Sequence, residues 1–299
     1  MKALIATAYG DVENLTLAEI PEPKVGPDDV KIRVHAASIN PIDWKLLSGH
    51  ARMLMELEFP AILGRDAAGE VLEVGANVKT LRAGDRVLGL AWSTFAERAV
   101  APVTAWAKVP SGLEMNDAAA LPLVALTGAQ LVDAVKPRPG LSVLVTGAVG
   151  GVGRAAVFVA KSAGATVWAG VRTEQQGAAE ALGVDRVVAI DDEAAVAALP
   201  TFDAICDTVS GPTIARLLPH LKRGGTLAST LGEPAGVRER GASVAAIMTH
   251  PDAARLAELA TAAAEKRFVI PVQRTFPLAQ GAAAFRLARE GGGKVLLLP

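Results

Sequence analysis

The feature that most constrains the fold is a regular alternation of apolar strands and helices that begins at residue 142. Strands are predicted at 142–146, 166–171, 186–190, 202–206 and 226–229, with helices between them, and a sixth strand is predicted at 243–248. Strands that alternate with helices form βαβ units around a parallel sheet. We therefore expect a doubly wound α/β domain in this part of the chain.

A glycine-rich run, T-G-A-V-G-G-V-G at 146–153, joins the first of these strands to the first helix. Small residues let a backbone approach a pyrophosphate, and the helix N-terminus offers free N–H groups and a positive dipole end. The run predicts dinucleotide binding, with Gly150, Gly151 and Val152 at the phosphates and Gly153 between helix and sheet. Its spacing departs from G-x-G-x-x-G, so the alternative is a turn that only connects the two elements. No Lys-Ser/Thr pair follows Gly153, which excludes a Walker A loop.

The residue after the second strand indicates which dinucleotide is bound. NAD sites usually carry an acid about 20 residues past the glycine loop, where it accepts from the ribose 2′-OH. Here Arg172 stands at that position, and the nearest acid is Glu174. A guanidinium pairs well with a phosphate, so we predict NADPH, with Arg172 and Thr173 at the 2′-phosphate. The alternative is a solvated surface arginine.

Composition excludes several classes of partner. The net charge is −1 and no long basic stripe occurs, which argues against nucleic acid and anionic membrane surfaces. No window holds about 18 consecutive apolar residues, so no membrane span is expected. The single cysteine, Cys206, excludes an intrachain disulfide and a four-thiolate zinc site, and it reads as an inert buried thiol. A cytoplasmic location fits this composition.

The chain is expected to have two domains. The first hundred residues hold short strands separated by Gly and Pro, which is typical of a small barrel or sandwich. The tail after 267 again reads as strand, helix and strand. We predict one domain from 1–118 with 268–299 returning to it, and a second at 119–267.

Six short motifs resemble one family in the order in which they occur. They are N-P-I-D at 40–43, G-R-D-A-A-G-E-V at 64–71, G-D-R-V at 84–87, L-P-L-V-A-L-T at 121–127, D-T-V-S-G at 207–211 and G-K-V at 293–295. Together they resemble the medium-chain dehydrogenase/reductase superfamily, most closely its zinc-independent quinone oxidoreductase (zeta-crystallin-like) branch. The resemblance covers essentially the whole chain. It implies a GroES-like β-barrel domain, completed by the C-terminal tail, beside a Rossmann domain.

The resemblance also implies roles for individual residues. Asn40 is expected near the nicotinamide ribose and Lys45 near the substrate oxygen as a hydrogen-bond or proton donor; the alternatives are a turn-forming Asn and a surface Lys. The residues expected to contact the coenzyme elsewhere are Thr127, Val209, Ser229, Leu231 and Lys294, the last at a phosphate. A homodimer, joined through sheet edges near 243–248, is also implied.

The departures from the family's zinc enzymes point to the chemistry. Those enzymes use a Cys in the segment that is 38–43 here, and a His where this chain has Arg65. Without a Lewis acid, hydride transfer suits acceptors that spread the incoming charge. We therefore expect an NADPH-dependent reductase of a quinone or α,β-unsaturated carbonyl, of EC 1.6.5 or 1.3.1 type, with no metal. The alternatives are an enoyl thioester reductase and a non-catalytic NADPH-binding sensor.

Overall fold

The computed structural model describes residues 1–299, apart from the side chain of Arg240. The chain divides into two compact units, Met1–Leu123 with His250–Pro299, and Val124–Thr249. The sequence expectation put the second boundary at 267, whereas the chain returns to the first unit at His250. The reason is the helix Ala253–Ala264, which packs against a strand of the first unit, Trp106–Lys108.

The bounds of the elements within the described residues are as follows. The strands are β1 (Lys2–Ala6), β2 (Leu15–Glu19), β3 (Asp29–Ser38), β4 (Ala61–Ile62), β5 (Asp66–Val74), β6 (Arg86–Leu90), β7 (Arg98–Pro102), β8 (Trp106–Lys108), β9 (Ser142–Thr146), β10 (Thr166–Val171), β11 (Arg186–Ala189), β12 (Phe202–Asp207), β13 (Leu221–Ser229), β14 (Ser243–Ala246), β15 (Val272–Pro277) and β16 (Lys294–Leu298). The α-helices are α1 (Pro41–Leu47), α2 (Met115–Ala120), α3 (Pro122–Ala134), α4 (Gly151–Ser162), α5 (Gln176–Glu180), α6 (Glu193–Ala197), α7 (Gly211–Leu217), α8 (Ala253–Ala264) and α9 (Gly281–Glu290).

The second unit is built on a six-stranded parallel sheet. Its strands run in the order β11-β10-β9-β12-β13-β14. The order reverses between β9 and β12, and open α/β sheets bind ligands beyond the carboxyl ends of the strands at such a switch point. This is the Rossmann arrangement, and it confirms the predicted α/β fold class. β9 and β10 have the predicted bounds.

Burial explains why these segments form the central strands. Val143, Leu144 and Val145 of β9 are fully buried, as β-branched and apolar residues are in a sheet covered on both faces. Leu144 belongs to an apolar cluster with Phe202 and Ile205 of β12. The core therefore fixes β9 and β12 side by side, and with them the switch point.

The first unit contains the antiparallel strands expected from the sequence. A seven-stranded sheet has the order β15-β16-β3-β5-β6-β8, with β7 also paired to β3, and a smaller sheet has the order β2-β1-β4. In β3 the apolar Val30, Ile32 and Val34 are buried, while Arg33 and His35 face outwards. β16 pairs with β3 through Leu296–Ser38 and Leu297–Ala37, so the tail completes this unit as predicted.

The single cysteine lies inside the second unit's sheet. Cys206 is fully buried in β12, and burial raises the pKa of its thiol to about 12. The thiolate is therefore not formed near neutral pH, which confirms the prediction of an inert thiol.

None of the helices in the described part of the chain combines the length and apolar character needed to span a bilayer.

Candidate active site

The glycine loop (146–153) folds back tightly on itself between β9 and α4. Gly147 has φ +62°, a left-handed conformation that favours glycine, and its N–H donates to Gly170 O at 2.8 Å. A Cβ at Gly153 would lie 2.2 Å from Gly147 O and 2.6 Å from the Cα of Ala148. The first turn of α4 can therefore lie this close to the loop only with glycine at 153.

The first turn of α4 is left open for an anion. Its N-cap residue is Gly150, which provides no side-chain cap, and the first intrahelical bond runs from Arg154 N–H to Gly150 O at 2.8 Å. The N–H groups of Gly151 and Val152 precede that bond, and both residues are half-buried. Free N–H groups and the helix dipole suit a pyrophosphate. The glycine cradle therefore fits the predicted dinucleotide.

A buried carboxylate joins the carboxyl ends of three strands beside the loop. Asp207 Oδ1 accepts from Thr146 Oγ1 at 2.9 Å, and Asp207 Oδ2 accepts from Ser229 Oγ at 3.0 Å. Ser229 Oγ also accepts from Leu231 N–H at 3.1 Å, and Thr208 N–H donates to Thr146 Oγ1 at 2.9 Å. Asp207 had no assigned role from the sequence. Asp207 holds the ends of β9, β12 and β13 together. Its Oδ2 accepts the hydroxyl proton of Ser229, which is a predicted coenzyme contact.

The other predicted contacts of the second unit differ in exposure. Val209 and Leu231, which follow β12 and β13, are 42% and 44% exposed, unusual for large apolar side chains. Thr127 in α3 is buried, with its Oγ1 2.6 Å from Thr249 Oγ1. The structure thus places Val209 and Leu231, with exposed apolar surface, beyond the carboxyl ends of β12 and β13.

The predicted ribose end lies at the close of β10. Arg172 is 64% exposed, and its Nε lies 3.1 Å from Glu174 Oε1. Thr173 donates through its N–H and its hydroxyl to Asp191 Oδ1, at 2.9 and 3.0 Å. Asp191 thus fixes the turn that presents Arg172. The sequence missed this contribution because Asp191 is 18 residues further along the chain.

In the first unit, Asn40 and Lys294 lie together in a buried polar network. Lys294 Nζ donates to Asn40 Oδ1 at 2.6 Å and to Asp66 Oδ2 at 3.2 Å. Asn40 Nδ2 donates to Asp66 Oδ2 at 2.9 Å and to Ser38 O at 3.2 Å. Asp66 Oδ1 accepts from Leu123 N–H at 2.7 Å.

These contacts change the interpretation of both predicted residues. The Asn40 side chain is fully buried and uses its amide within the network. Lys294 is 8% exposed and ion-paired, so its ammonium is held inside the first unit. In this geometry the Lys294 ammonium is bonded to Asn40 and Asp66 and so orients the Asn40 amide; its contact with a coenzyme phosphate stays a prediction.

A second buried carboxyl borders this network. Asp43 Oδ2 accepts from Asn40 N–H at 2.7 Å, closing a capping box at the start of α1, whereas its Oδ1 has no partner among the described residues. Burial raises the pKa of Asp43 to about 7, although the bond from Asn40 opposes this shift. A neutral carboxylic acid is the form that complete burial favours.

Two cations of the first unit have no carboxylate partner in the described residues. Lys45, in the last turn of α1, is half-buried and its ammonium makes no ion pair there. The guanidinium of Arg65 stacks on Trp92, 3.7 Å from the ring centroid, and its Nε donates to Ala91 O at 3.2 Å. From the sequence, Arg65 was only the residue that stands where the zinc enzymes have a His ligand.

A cavity of about 350 Å³ opens within the first unit. Most of its lining residues are apolar and include Leu46, Leu57, Leu63 and Trp92, while polar atoms, among them those of Glu56 and Glu58, form much of the rest of the wall. Both acids are exposed, and Glu56 pairs with Arg52 at 3.2 Å. The volume lies within the range of small-molecule sites.

The side chains in the described part of the chain include no group of three or more His, Cys, Asp or Glu residues that could hold a metal ion.

Two family models match the chain. One, described as an alcohol dehydrogenase GroES-like domain, matches residues 26–111, and another, described as a zinc-binding dehydrogenase, matches residues 182–297. The first confirms the predicted GroES-like character of the N-terminal unit.

Curated relatives and solved structures agree with these matches. A chloroplast envelope quinone oxidoreductase homolog from Arabidopsis thaliana is 34% identical over 75% of this chain and 73% of its own length. A mitochondrial NAD(P)H oxidoreductase from Mus musculus is 34% identical over 66% of this chain and 56% of its own length. The quinone oxidoreductase structure from Coxiella burnetii superposes with a TM-score of 0.91 at 27% identity, covering 100% of this chain and 99% of that one. The chain therefore belongs to the medium-chain dehydrogenase/reductase superfamily, in its quinone oxidoreductase branch.

Proposed function

We propose that this protein is an NADPH-dependent, zinc-independent reductase of quinones or α,β-unsaturated carbonyl compounds. Two features of the six-stranded sheet carry the proposal. The glycine loop after β9 leaves the N–H groups of the first turn of α4 without a side-chain cap, and an exposed arginine, Arg172, follows the neighbouring strand β10. The relatives described as quinone and NAD(P)H oxidoreductases support the same reaction class.

The coenzyme preference rests on the turn after β10. A ribose 2′-phosphate would meet the Arg172 guanidinium and the turn at Thr173, whereas a ribose 2′-OH would find Glu174. The Arg172–Glu174 pair is largely exposed, and exposed pairs are worth little, so Arg172 can exchange Glu174 for a phosphate. A bound NADPH supplies a hydride from its nicotinamide ring.

The choice of acceptor rests on the side chains at the positions of the zinc ligands. This chain has no Cys at 38–43 and has Arg65 where the zinc enzymes have His. A quinone or enone delocalises the incoming charge into a phenolate or enolate, which amides and cations can stabilise by hydrogen bonds. A simple ketone would form a localised alkoxide, which depends far more on a Lewis acid such as zinc than a delocalised oxyanion does.

The remaining roles follow from exposure and charge. We assign Gly150, Gly151 and Val152 to the pyrophosphate, and Val209, Leu231 and Thr127 to the coenzyme's other groups. Lys45 is assigned to proton supply. Glu56 and Glu58 in the cavity wall would repel the phosphate groups of a phosphate-bearing thioester. This argues against the enoyl thioester reductase alternative.

We also propose a cytoplasmic homodimer. The single thiol is buried and unreactive, which suits a reducing compartment. β14 forms one edge of the six-stranded sheet, and its outer N–H and C=O groups can pair with a second copy.

The test is steady-state oxidation of NADPH with a panel of quinones, enals, enoyl thioesters and simple ketones, with and without a chelator. We expect turnover with neutral quinones and enals, little with simple ketones, and no effect of the chelator. Tight NADPH binding without turnover on any acceptor would instead support the sensor alternative. Turnover of ketones that a chelator abolishes would contradict zinc independence.

A further inference from the structure

Arg65 is a half-buried cation that is fixed at two points. Its Nε donates to Ala91 O at 3.2 Å, and its guanidinium carbon lies 3.7 Å from the centroid of Trp92. These contacts use one N–H and one face of the group. The terminal Nη1 and Nη2 amino groups make no hydrogen bond to any side chain or backbone atom in the described residues.

The neighbouring carboxyl groups do not take up these donors. Asp66 is engaged by Asn40, Lys294 and the N–H of Leu123, and Asp43 is bonded to the N–H of Asn40. Desolvation lowers the pKa of Arg65, while Asp66 and Asp43 raise it through charge. An arginine side chain nevertheless keeps its proton in proteins. Partly buried, charged and without an ion pair, this group is expected to have an oxygen ligand, because buried charges are normally paired.

The cavity described above is next to this cation. Trp92, on which Arg65 stacks, forms part of its wall, and so does Leu63, two residues before Arg65. Most of the lining residues are apolar, so a flat ring system can pack against them while a polar edge reaches the guanidinium. The stacked indole also restricts the guanidinium plane, which orients the free donors in advance.

We propose that Arg65 is a catalytic residue, whose terminal amino groups donate hydrogen bonds to the carbonyl oxygen of the acceptor bound in this cavity. The inference rests on the proposed function. It assigns to this chain's arginine the electrophilic role that a metal ion plays elsewhere in the superfamily.

The reaction balances with Arg65 protonated throughout. Hydride adds to the β-carbon of an enone, the C=C electron pair forms a new double bond to the carbonyl carbon, and the C=O pair moves onto oxygen. The coenzyme is oxidised and the acceptor becomes an enolate, whose oxygen anion is held by Nη1 and Nη2. A proton from water or Lys45 then adds to the α-carbon. With a quinone, the corresponding product is a hydroquinone monoanion that takes up one proton.

The kinetic test compares Arg65→Gln and Arg65→Lys with the wild type and with Arg33→Gln. Arg33 is a matched control because it lies in the same unit, is exposed and only approaches Glu70 at 4.0 Å. We expect Arg65→Gln to lower kcat/KM for quinones and enals about 100-fold or more, as loss of an oxyanion donor does. Arg65→Lys should retain part of the activity, and added guanidinium ion should partly rescue Arg65→Ala. NADPH affinity, measured by fluorescence, should stay unchanged.

A second measurement does not depend on turnover. 4-Nitrophenol resembles the reduced ring, and its phenolate form absorbs visible light. The wild-type protein should bind it as phenolate and lower its apparent pKa, whereas a folded Arg65→Gln variant should not. Equal kcat/KM and equal nitrophenol titrations in the wild type and Arg65→Gln would overturn the inference and leave the proposed function intact. A wild type that turns over no acceptor would overturn the proposed function, and the catalytic role of Arg65 with it.

Discussion

At the scale of single residues, the site depends on which polar groups are already engaged. Asn40 was expected to reach the coenzyme, yet its amide is held by Asp66 and Lys294. Arg172 and Arg65, in contrast, keep donors that a ligand can take. The engaged residues fix the geometry, and the available ones are the candidates for recognition and chemistry.

Arg172 gives the most direct test of coenzyme preference. Arg172→Ala removes the cation expected at the 2′-phosphate, so the KM for NADPH should rise about tenfold or more while that for NADH changes little. Glu174→Gln is the matched change, since it frees Arg172 from its partner and should improve NADPH binding slightly. The effects of both substitutions are measured as the KM for NADPH and the KM for NADH. An unaltered preference in Arg172→Ala would mean that Arg172 does not read the phosphate.

Asp43 predicts a pH dependence of stability. Its pKa is raised from 3.8 to about 7 in the folded state, so the folded protein binds this proton more tightly than the unfolded chain does. Stability should therefore fall as the pH rises from about 4 to about 7 and stay lower above that, by as much as a few kcal/mol. Asp43→Asn keeps an acceptor for the N–H of Asn40 and should flatten this part of the curve. Chemical unfolding at several pH values measures it. A variant with an unchanged slope would show that Asp43 does not carry the effect.

At the scale of elements, the contact between the glycine loop and α4 is the most demanding. Gly153→Ala would place a methyl group 2.2 Å from Gly147 O, so α4 must move away from the loop. We expect at least tenfold weaker NADPH binding and a loss of about 1–3 kcal/mol in stability. Gly177→Ala in α5 is the control, because nothing lies within 4 Å of its added methyl group. NADPH titration measures the binding affinity of both variants, and thermal unfolding measures their stability. Equal behaviour of the two variants would contradict the close packing.

The elements also show which features of the structure the local sequence can predict. β9 and β10 were predicted to the residue because each is a short apolar run between turn signals. The domain boundary near 250 could not be predicted, since the pattern of α8 reveals an apolar face but not the strand it packs on. The bond between Asn40 and Lys294 joins residues 254 positions apart, so no local pattern contains it. Their motifs, N-P-x-D and G-K-V, signalled only that both positions are special.

At the scale of the whole molecule, the free edge of the Rossmann sheet predicts the assembly. Ile247 N–H donates to Ser229 O at 2.8 Å, so by alternation the N–H of Ala245 points towards β13 and that of Ala246 points outwards. Ala246→Pro should therefore abolish a dimer formed at this edge with little loss of stability. Ala245→Pro should lower Tm, because it removes a bond within the sheet. Light scattering after size-exclusion chromatography measures the oligomeric state of each variant, and thermal unfolding measures its Tm. A wild-type monomer would refute the edge-to-edge dimer.

The return of β16 to β3 has a consequence for biosynthesis. Residues 124–249 are one uninterrupted stretch, so a nascent chain can complete the parallel sheet while translation continues. The network around Asn40 must wait, because Lys294 arrives some 250 codons after its partner. Until then Asp66 is a carboxylate without its ammonium, inside a half-finished barrel. The network around Asn40 therefore can close only after the segment that forms the parallel sheet has been made.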